Sequence, residues 1–262
     1  MDKEIRPLVL FGVHAVMEKI REAPQEIAEL LLAKGHVRGA LRSVYAEATR
    51  RGLKVRFVEV GELTRQAESD KHQGIVAKVA PYAYASFPDL IQELARSMRC
   101  EPIVLLDCVL DPRNLGALLR SIEGAGIRDV VIPKDRSVGV TSTVVRASSG
   151  AAHYLRIHRV TNLRGAITAL KQNGFWVVGL VPGAAESVYD RAYPERVAVV
   201  LGGEGAGIRP LILRECDFVV SIPMLGKVGS LNVSVAGAVF LYELLRQRRP
   251  TGPESVSDRV KC

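Results

Sequence analysis

The sequence lacks the residues that staple or anchor small proteins. Its 262 residues include only four cysteines, Cys100, Cys108, Cys216 and Cys262, with no C-x-x-C pair. That spacing argues against a zinc ribbon and against the dense pattern of a disulfide framework, so the thiols read as ordinary and reduced. Five histidines, His14, His36, His72, His153 and His158, are scattered and form no H-E-x-x-H or other close ligand pair, and no metal is expected. No run approaches the roughly 18 uninterrupted apolar residues of a membrane span. The opening stretch MDKEIRPLVLFGVHAV carries charge where a secretory peptide has its apolar core. Solenoid repeats, low-complexity tracts and heptads are also missing. The expectation is a soluble cytoplasmic protein with neither membrane nor metal partner.

What the chain does have is apolar content and positive charge. At 48% hydrophobic residues it can bury one large core or two compact ones, and two domains are expected. The net charge is +8 and the isoelectric point about 9.5, as suits a polyanionic partner whose counterions clustered Lys and Arg would release. A well-solvated basic surface accounts for the charge equally well. Residues 1–80 hold 14 basic and 11 acidic side chains and the remainder 22 and 17, so neither half owns the excess.

Residues 8–80 alternate helix-like and strand-like pieces, GVHAVMEKIREA, IAELLLAKG, GALRSVYAEATRRG, LKVRFVEV, GELTRQAES and GIVAKVA, which describes a small α/β unit. PYAYASFPDL then has two prolines and no clear period, and residues 81–100 are expected as a linker. From residue 101 come six short β-rich runs, PIVLLD, DVVIP, YLRIHRV, FWVVGLV, VAVVLGG and FVVSIP, separated by helix-compatible segments. Runs apolar over consecutive residues are buried on both faces, the signature of a parallel sheet covered by helices. Ligands of such sheets sit beyond the carboxyl ends of the strands, which singles out the loops DPRNLG, GGEGAG and PMLGKVGSLN. Residues 250–262 have two prolines and no apolar face and are expected as a flexible tail.

Each loop has two readings. In DPRNLGALLRS, Asn114 suits a helix cap, and Arg120 suits either an exposed surface or a phosphate. Six residues apart on a helix, the two stand some 120° off a common face. In VVLGGEGAGIRP, Gly202, Gly203, Gly205 and Gly207 surround the lone Glu204, as in a tight turn or a loop whose backbone approaches a ligand. A G-x-G-x-x-G dinucleotide fingerprint fails there, because Ile208 stands where the last glycine belongs. In GKVGSLNVSVAGAVF, Ser230 suits the cap of an apolar, buried helix running from Leu231 to Leu245. Asn232 is then left needing a partner.

Taken together, DPRNLGALLRS, VLGGEGAGIRP and IPMLGKVGSLNVSVAGAVFLYELLRQR resemble, in order and spacing, the three motifs of the SpoU family of RNA 2'-O-methyltransferases, within the SPOUT class. FGVHAV, DKHQGIVAKV, IPKDRSVGVT and VTNLRGAI extend the likeness toward the bacterial 23S rRNA guanosine 2'-O-methyltransferases, over about Gly12 to Arg249. The resemblance implies an α/β protein with two parts. One is a SPOUT methyltransferase domain (101–249), a parallel sheet whose carboxyl-terminal chain forms a trefoil knot that holds S-adenosylmethionine. The other is a smaller amino-terminal RNA-binding α/β domain (1–80) similar to a ribosomal-protein fold. It implies catalytic roles for Asn114, Arg120, Glu204, Ser230 and Asn232, backbone contacts to the cofactor at Gly202, Ile222 and Leu231, and a homodimer with the site near its interface. The expected partner is RNA, first 23S rRNA. The alternatives are a tRNA 2'-O-methyltransferase and a non-catalytic RNA-binding protein of the same fold. A nicotinamide oxidoreductase is disfavoured by the broken fingerprint.

Overall fold

The computed structural model describes residues 8–35, 38–97, 99–205 and 207–248. The expected tail, with His36, Arg249 and Cys262, lies outside them. The chain divides into two compact units: the first runs to Ala83 and also takes in Val140–Ser142, and the second comprises Tyr84–Gly139 and the chain from Thr143 onward.

The first unit contains β1 (Leu8–Phe11), α1 (Val13–Glu22), β2 (Ile27–Ala33), α2 (Ala40–Arg50), β3 (Val55–Val58), α3 (Val60–Ala67) and β4 (Ile75–Val79). Its sheet has the order β1-β4-β2-β3, with β4 antiparallel to both neighbours and β2 parallel to β3. The run Leu30–Ala33 is apolar throughout because both faces are covered. Leu30 and Leu32 join Val16, Ile20, Val44 and Ala48 of α1 and α2, while Leu31 and Ala33 join Leu63 and Ala67 of α3. A period of two residues thus feeds two cores. The alternation from GVHAV onward matches the sequence reading, and β1 is an added strand.

The second unit opens with α4 (Phe87–Arg96), inside the segment expected as a linker. Ser86 caps it by accepting from the Asp89 amide, and Pro88 occupies its first turn, where a missing N–H costs nothing. Leu90 and Leu94 are buried in the second unit's core, so this helix belongs to that unit.

Then follow β5 (Ile103–Asp107), α5 (Pro112–Gly124), β6 (Asp129–Pro133), α6 (Ser142–Ala147), β7 (Arg156–Val160), α7 (Leu163–Gln172), β8 (Trp176–Leu180), β9 (Val197–Gly202), α8 (Pro210–Leu213), β10 (Phe218–Val220) and α9 (Val233–Arg248). All six expected strands form, in the order β10-β8-β9-β5-β6-β7, and every pairing is parallel. α4, α7 and α8 share one core beneath β5, β8 and β9. α5 packs on α9, and α9 on β9.

The register sets Asp107 opposite Gly202 and Leu180 opposite Leu201. The loops after β5, β8 and β9 therefore leave the sheet at one level. No described helix is long and apolar enough to cross a membrane.

Candidate small-molecule site at the strand ends

Beyond the carboxyl ends of β8 and β9, the glycine loop and residues 222–233 enclose a cavity of about 570 Å³, within the usual size of small-molecule sites. Leu180, Leu201, Ile222 and Leu231 supply apolar walls, and Glu204, Ser230 and Asn232 supply polar groups. The glycines are there because no side chain fits. A Cβ on Gly203 would lie 1.8 Å from the Cys108 carbonyl oxygen, and one on Gly202 would lie 2.1 Å from the Gly207 carbonyl carbon. The Gly203 amide donates to the Asp107 carbonyl at 2.7 Å, tying the loops after β5 and β9 together at backbone distance.

Three loops distant in sequence meet in one polar chain. Asn232 Nδ2 donates to Asn114 Oδ1 at 3.0 Å, and Asn114 Nδ2 donates to Glu204 Oε1 at 2.5 Å. The Leu110 amide donates to Glu204 Oε2 at 3.3 Å. Burial works to raise the Glu204 pKa, but the hydrogen bonds from Asn114 and from backbone amides outweigh it and hold the carboxyl below its ordinary value.

The capping assignments differ from the sequence reading at both helices. At α5 the cap is Asp111, whose Oδ1 accepts from the Arg113 amide at 2.7 Å, leaving Asn114 in the first turn with its side chain available. At α9 the cap is Asn232. Its Oδ1 accepts from the Ser234 amide at 2.8 Å and from Ser234 Oγ at 2.6 Å, while its carbonyl accepts from Ala236. The helix begins at Val233, so Ser230 is an exposed cavity residue. Asn232 thus caps with its oxygen and reaches Asn114 with its nitrogen.

Arg120 stands apart. It is exposed on the regular helix α5, its guanidinium makes no hydrogen bond or ion pair among the described residues, and it does not line the cavity. α9 also departs from expectation. Phe240, Leu241 and Leu244 are buried, but Val235 and Tyr242 are about half exposed. The helix, apolar over most of its length, leaves a strip at Val235 and Tyr242 uncovered.

The sequence reading missed Asp107 and Arg209. Asp107 ends β5 fully buried and accepts from the Arg209 amide and from Nε, each at 2.8 Å. A buried carboxylate needs such a partner, and this one pins the glycine loop to β5. The Val181–Pro182 wall was missed too, although it follows strand β8 and the strand-end rule points to it.

The most perturbed carboxylate lies at the opposite end of the sheet. Asp129 begins β6 fully buried and accepts from Arg99, Arg156 and His158 at 2.7–2.8 Å. Burial opposes its ionisation, but these partners hold it far below the carboxylate range. It ties the amino-terminal strand ends together, away from the cavity. Among the described residues no group of His, Cys, Asp and Glu side chains could hold a metal ion.

The fold and cavity define a parallel α/β protein that receives a small molecule at its strand ends, joined to a separate α/β unit. Residues 101–242 match the SpoU rRNA methylase family, and residues 9–85 match the RNA 2'-O ribose methyltransferase substrate-binding family. The chain belongs to the SpoU family of RNA methyltransferases. It is 39% identical to the 23S rRNA (guanosine-2'-O-)-methyltransferase RlmB of Shewanella oneidensis, over 92% of this chain and 98% of that protein. The Escherichia coli K12 protein of the same description is 37% identical at the same coverage. The crystal structure of an AdoMet-bound rRNA methyltransferase from Sinorhizobium meliloti superposes with a TM-score of 0.72 at 23% identity, covering 94% of this chain and 90% of that one.

Proposed function

We propose that the protein transfers a methyl group from S-adenosylmethionine to the ribose 2'-oxygen of a guanosine in 23S rRNA, as a cytoplasmic homodimer. The observation that carries the reading is the chain Asn232–Asn114–Glu204, built from the three loops that bear the family motifs and opening on the cavity. The cavity suits the cofactor. Glycine backbone at Gly202 and Gly203 would line its bed, apolar walls at Leu180, Ile222 and Leu231 suit a purine and an aliphatic chain, and Glu204 offers an ionised carboxylate. When bound, S-adenosylmethionine supplies an electrophilic methyl on a sulfonium.

The protein's task is then alignment of the 2'-oxygen with that methyl. Positioning supplies roughly 7–11 kcal/mol in favourable cases, whereas a general base gives about 10²- to 10⁴-fold. The Asn232–Asn114–Glu204 chain fixes the cavity rim, and Ser230 presents a hydroxyl there. The Arg120 guanidinium binds the RNA phosphate and stabilises the developing alkoxide, and the 2'-hydroxyl proton passes to water or to a phosphate oxygen of the substrate.

A trefoil knot is part of this reading. Its support is the path of the chain, which leaves edge strand β10 and returns to meet Asn114 before α9 packs on α5. The homodimer draws support from the uncovered side of α9, where Val235 and Tyr242 lie near exposed Leu225 and Val228 in sequence.

The test is labelled methyl transfer to rRNA and tRNA, with 2'-O-methyl mapping in cells lacking the protein. Loss of one 23S guanosine methyl is expected. A methyl missing from tRNA with rRNA unchanged overturns the substrate, and binding without transfer to any RNA overturns the activity.

A further inference from the structure

In the first unit most cations are neutralised where they stand. Arg50 and Arg51 pair with Glu47, Arg56 with Glu29 and Glu62, Lys54 and Lys78 with Glu29, and Lys19 with Glu26. Five exposed cations, Arg21, Arg38, Arg42, Arg65 and Lys71, have no hydrogen-bonded or ionic side-chain partner among the described residues. Arg42 is the one of them on α2 (Ala40–Arg50).

Beside this uncompensated charge lies exposed aromatic surface. Tyr45 follows Arg42 by three residues on α2 and therefore shares its face. Phe57 lies on β3, and the two rings meet with centroids 5.5 Å apart and planes inclined by 56°. Tyr45 is 36% exposed and Phe57 40%. β3 is the edge strand, so no further strand covers Phe57 from beyond the sheet. A second aromatic pair, exposed Trp176 with partly buried Phe218, carries Arg191 over its Phe218 ring, and that arginine is already paired with Glu186.

Exposed apolar rings cost free energy in water, and the Arg42 guanidinium has no counter-charge beside it. Unstacked nucleobases offer π faces to the first and phosphates to the second, which is how single strands are held without sequence readout. A folded protein partner would need a wider apolar patch than two rings flanked by charge.

We propose that Tyr45 and Phe57, with Arg42 one turn before Tyr45 on α2, form a stacking platform for unpaired bases of the substrate RNA. The platform gives the first unit a grip on the single-stranded flank of the target, while the second unit holds the nucleotide to be methylated. It rests on the RNA-methylating reading above for the identity of the RNA, and its test is a binding measurement that does not depend on methyl transfer.

The probe is a fluorescein-labelled, non-self-complementary RNA dodecamer, titrated against the full chain as a single strand and as a duplex with its complement. Tyr45→Leu with Phe57→Leu keeps apolar volume and removes the π faces. Loss of one stacked base corresponds to a single-strand Kd raised roughly 5- to 150-fold, with duplex binding nearly unchanged. Arg42→Gln should flatten the salt dependence of single-strand binding by about 0.7 in log–log slope. Arg50→Gln, which removes an already paired cation, should leave that slope unaltered. A double leucine variant that keeps its thermal stability and binds the single strand as wild type does overturns the platform. If that variant binds normally while wild type methylates RNA, the platform alone falls. If wild type transfers no methyl yet the variant loses single-strand binding, the platform stands and the methyltransferase reading falls.

Discussion

Glu204→Gln tests whether the polar chain at the cavity acts as a unit. The chain has a direction. Asn232 donates to Asn114, Asn114 donates to one carboxylate oxygen, and the Leu110 amide donates to the other. A glutamine has one oxygen for these two donors. If that oxygen faces Asn114, the new NH₂ meets the Leu110 N–H. If it faces Leu110, Asn114 must turn its amide and present Nδ2 to Asn232 Nδ2. Asn232 cannot turn in reply without giving up the Ser234 hydrogen bonds that cap α9.

Every arrangement loses one hydrogen bond and replaces at least one charge-assisted bond by a neutral one. Charged bonds contribute about 1.5–3 kcal/mol and neutral ones about 0.5–1.5. Because Glu204 is solvent-exposed, the lower part of that range applies, about 1–2 kcal/mol, or roughly 5- to 30-fold in single-turnover methyl transfer. The assay runs at saturating RNA and cofactor with Glu204→Gln, Asn114→Ala and the double variant. If the chain acts as a unit, the double variant is no slower than the worse single by more than about two-fold. Rates that multiply, or a Glu204→Gln enzyme as fast as wild type, refute the reasoning.

Gly203→Ala forces a Cβ to 1.8 Å from the Cys108 carbonyl oxygen. Overpacking of this kind costs about 1–3 kcal/mol, so thermal melting should fall by several degrees and cofactor affinity should drop with it. Asp129→Asn removes the buried anion from Arg99, Arg156 and His158, at about 3–5 kcal/mol. The folded pKa of Asp129 is lowered, so its stabilisation is complete above the unfolded value near 3.9 and is lost as pH falls below it. Denaturant titrations at pH 7 and pH 3 should show wild type losing more stability than Asp129→Asn across that interval. Val235→Asp places a carboxylate on the uncovered side of α9 and should yield monomers by analytical ultracentrifugation. An unchanged dimer would move the interface elsewhere.

The six strands of the second unit were legible because Val- and Ile-rich runs buried on both faces admit few other structures. α4 was not, because Pro88 reads as punctuation until Ser86 is seen capping a helix in which that proline sits harmlessly in the first turn. Glu204, Ser230 and Asn232, which line the cavity, and Asn114, which bonds to Glu204 and Asn232, were legible as loop positions, but their contacts were not. Ser230 and Asn232 are both good caps, and only the start of α9 at Val233 decides between them. Asp107 and Arg209 stand 102 residues apart. Nothing local in either stretch reveals that one must neutralise the other.

Arg120 is the residue the single chain leaves unexplained, and its place on α5 suggests how the site is completed. It precedes Gly124 by one turn and so shares its face, and a Cβ on Gly124 would lie 3.1 Å from the Tyr242 hydroxyl of α9. Arg120 is therefore on the side of α5 that borders the uncovered side of α9, and a dimer formed through α9 would carry it toward the partner. If Arg120 serves the partner's cavity, subunits carrying Arg120→Ala and Glu204→Gln are complementary. A mixed dimer then has one intact site, made of the first subunit's cavity and the second subunit's arginine, and one site with both lesions. With random exchange half of the dimers are mixed, and roughly a quarter of wild-type single-turnover amplitude should return on mixing two slow enzymes. If Arg120 serves its own cavity, every site in every dimer keeps one lesion and mixing restores nothing. The two outcomes differ in the amplitude of the fast phase, which subunit misfolding could only lower, so recovered activity has no explanation but a site shared between chains.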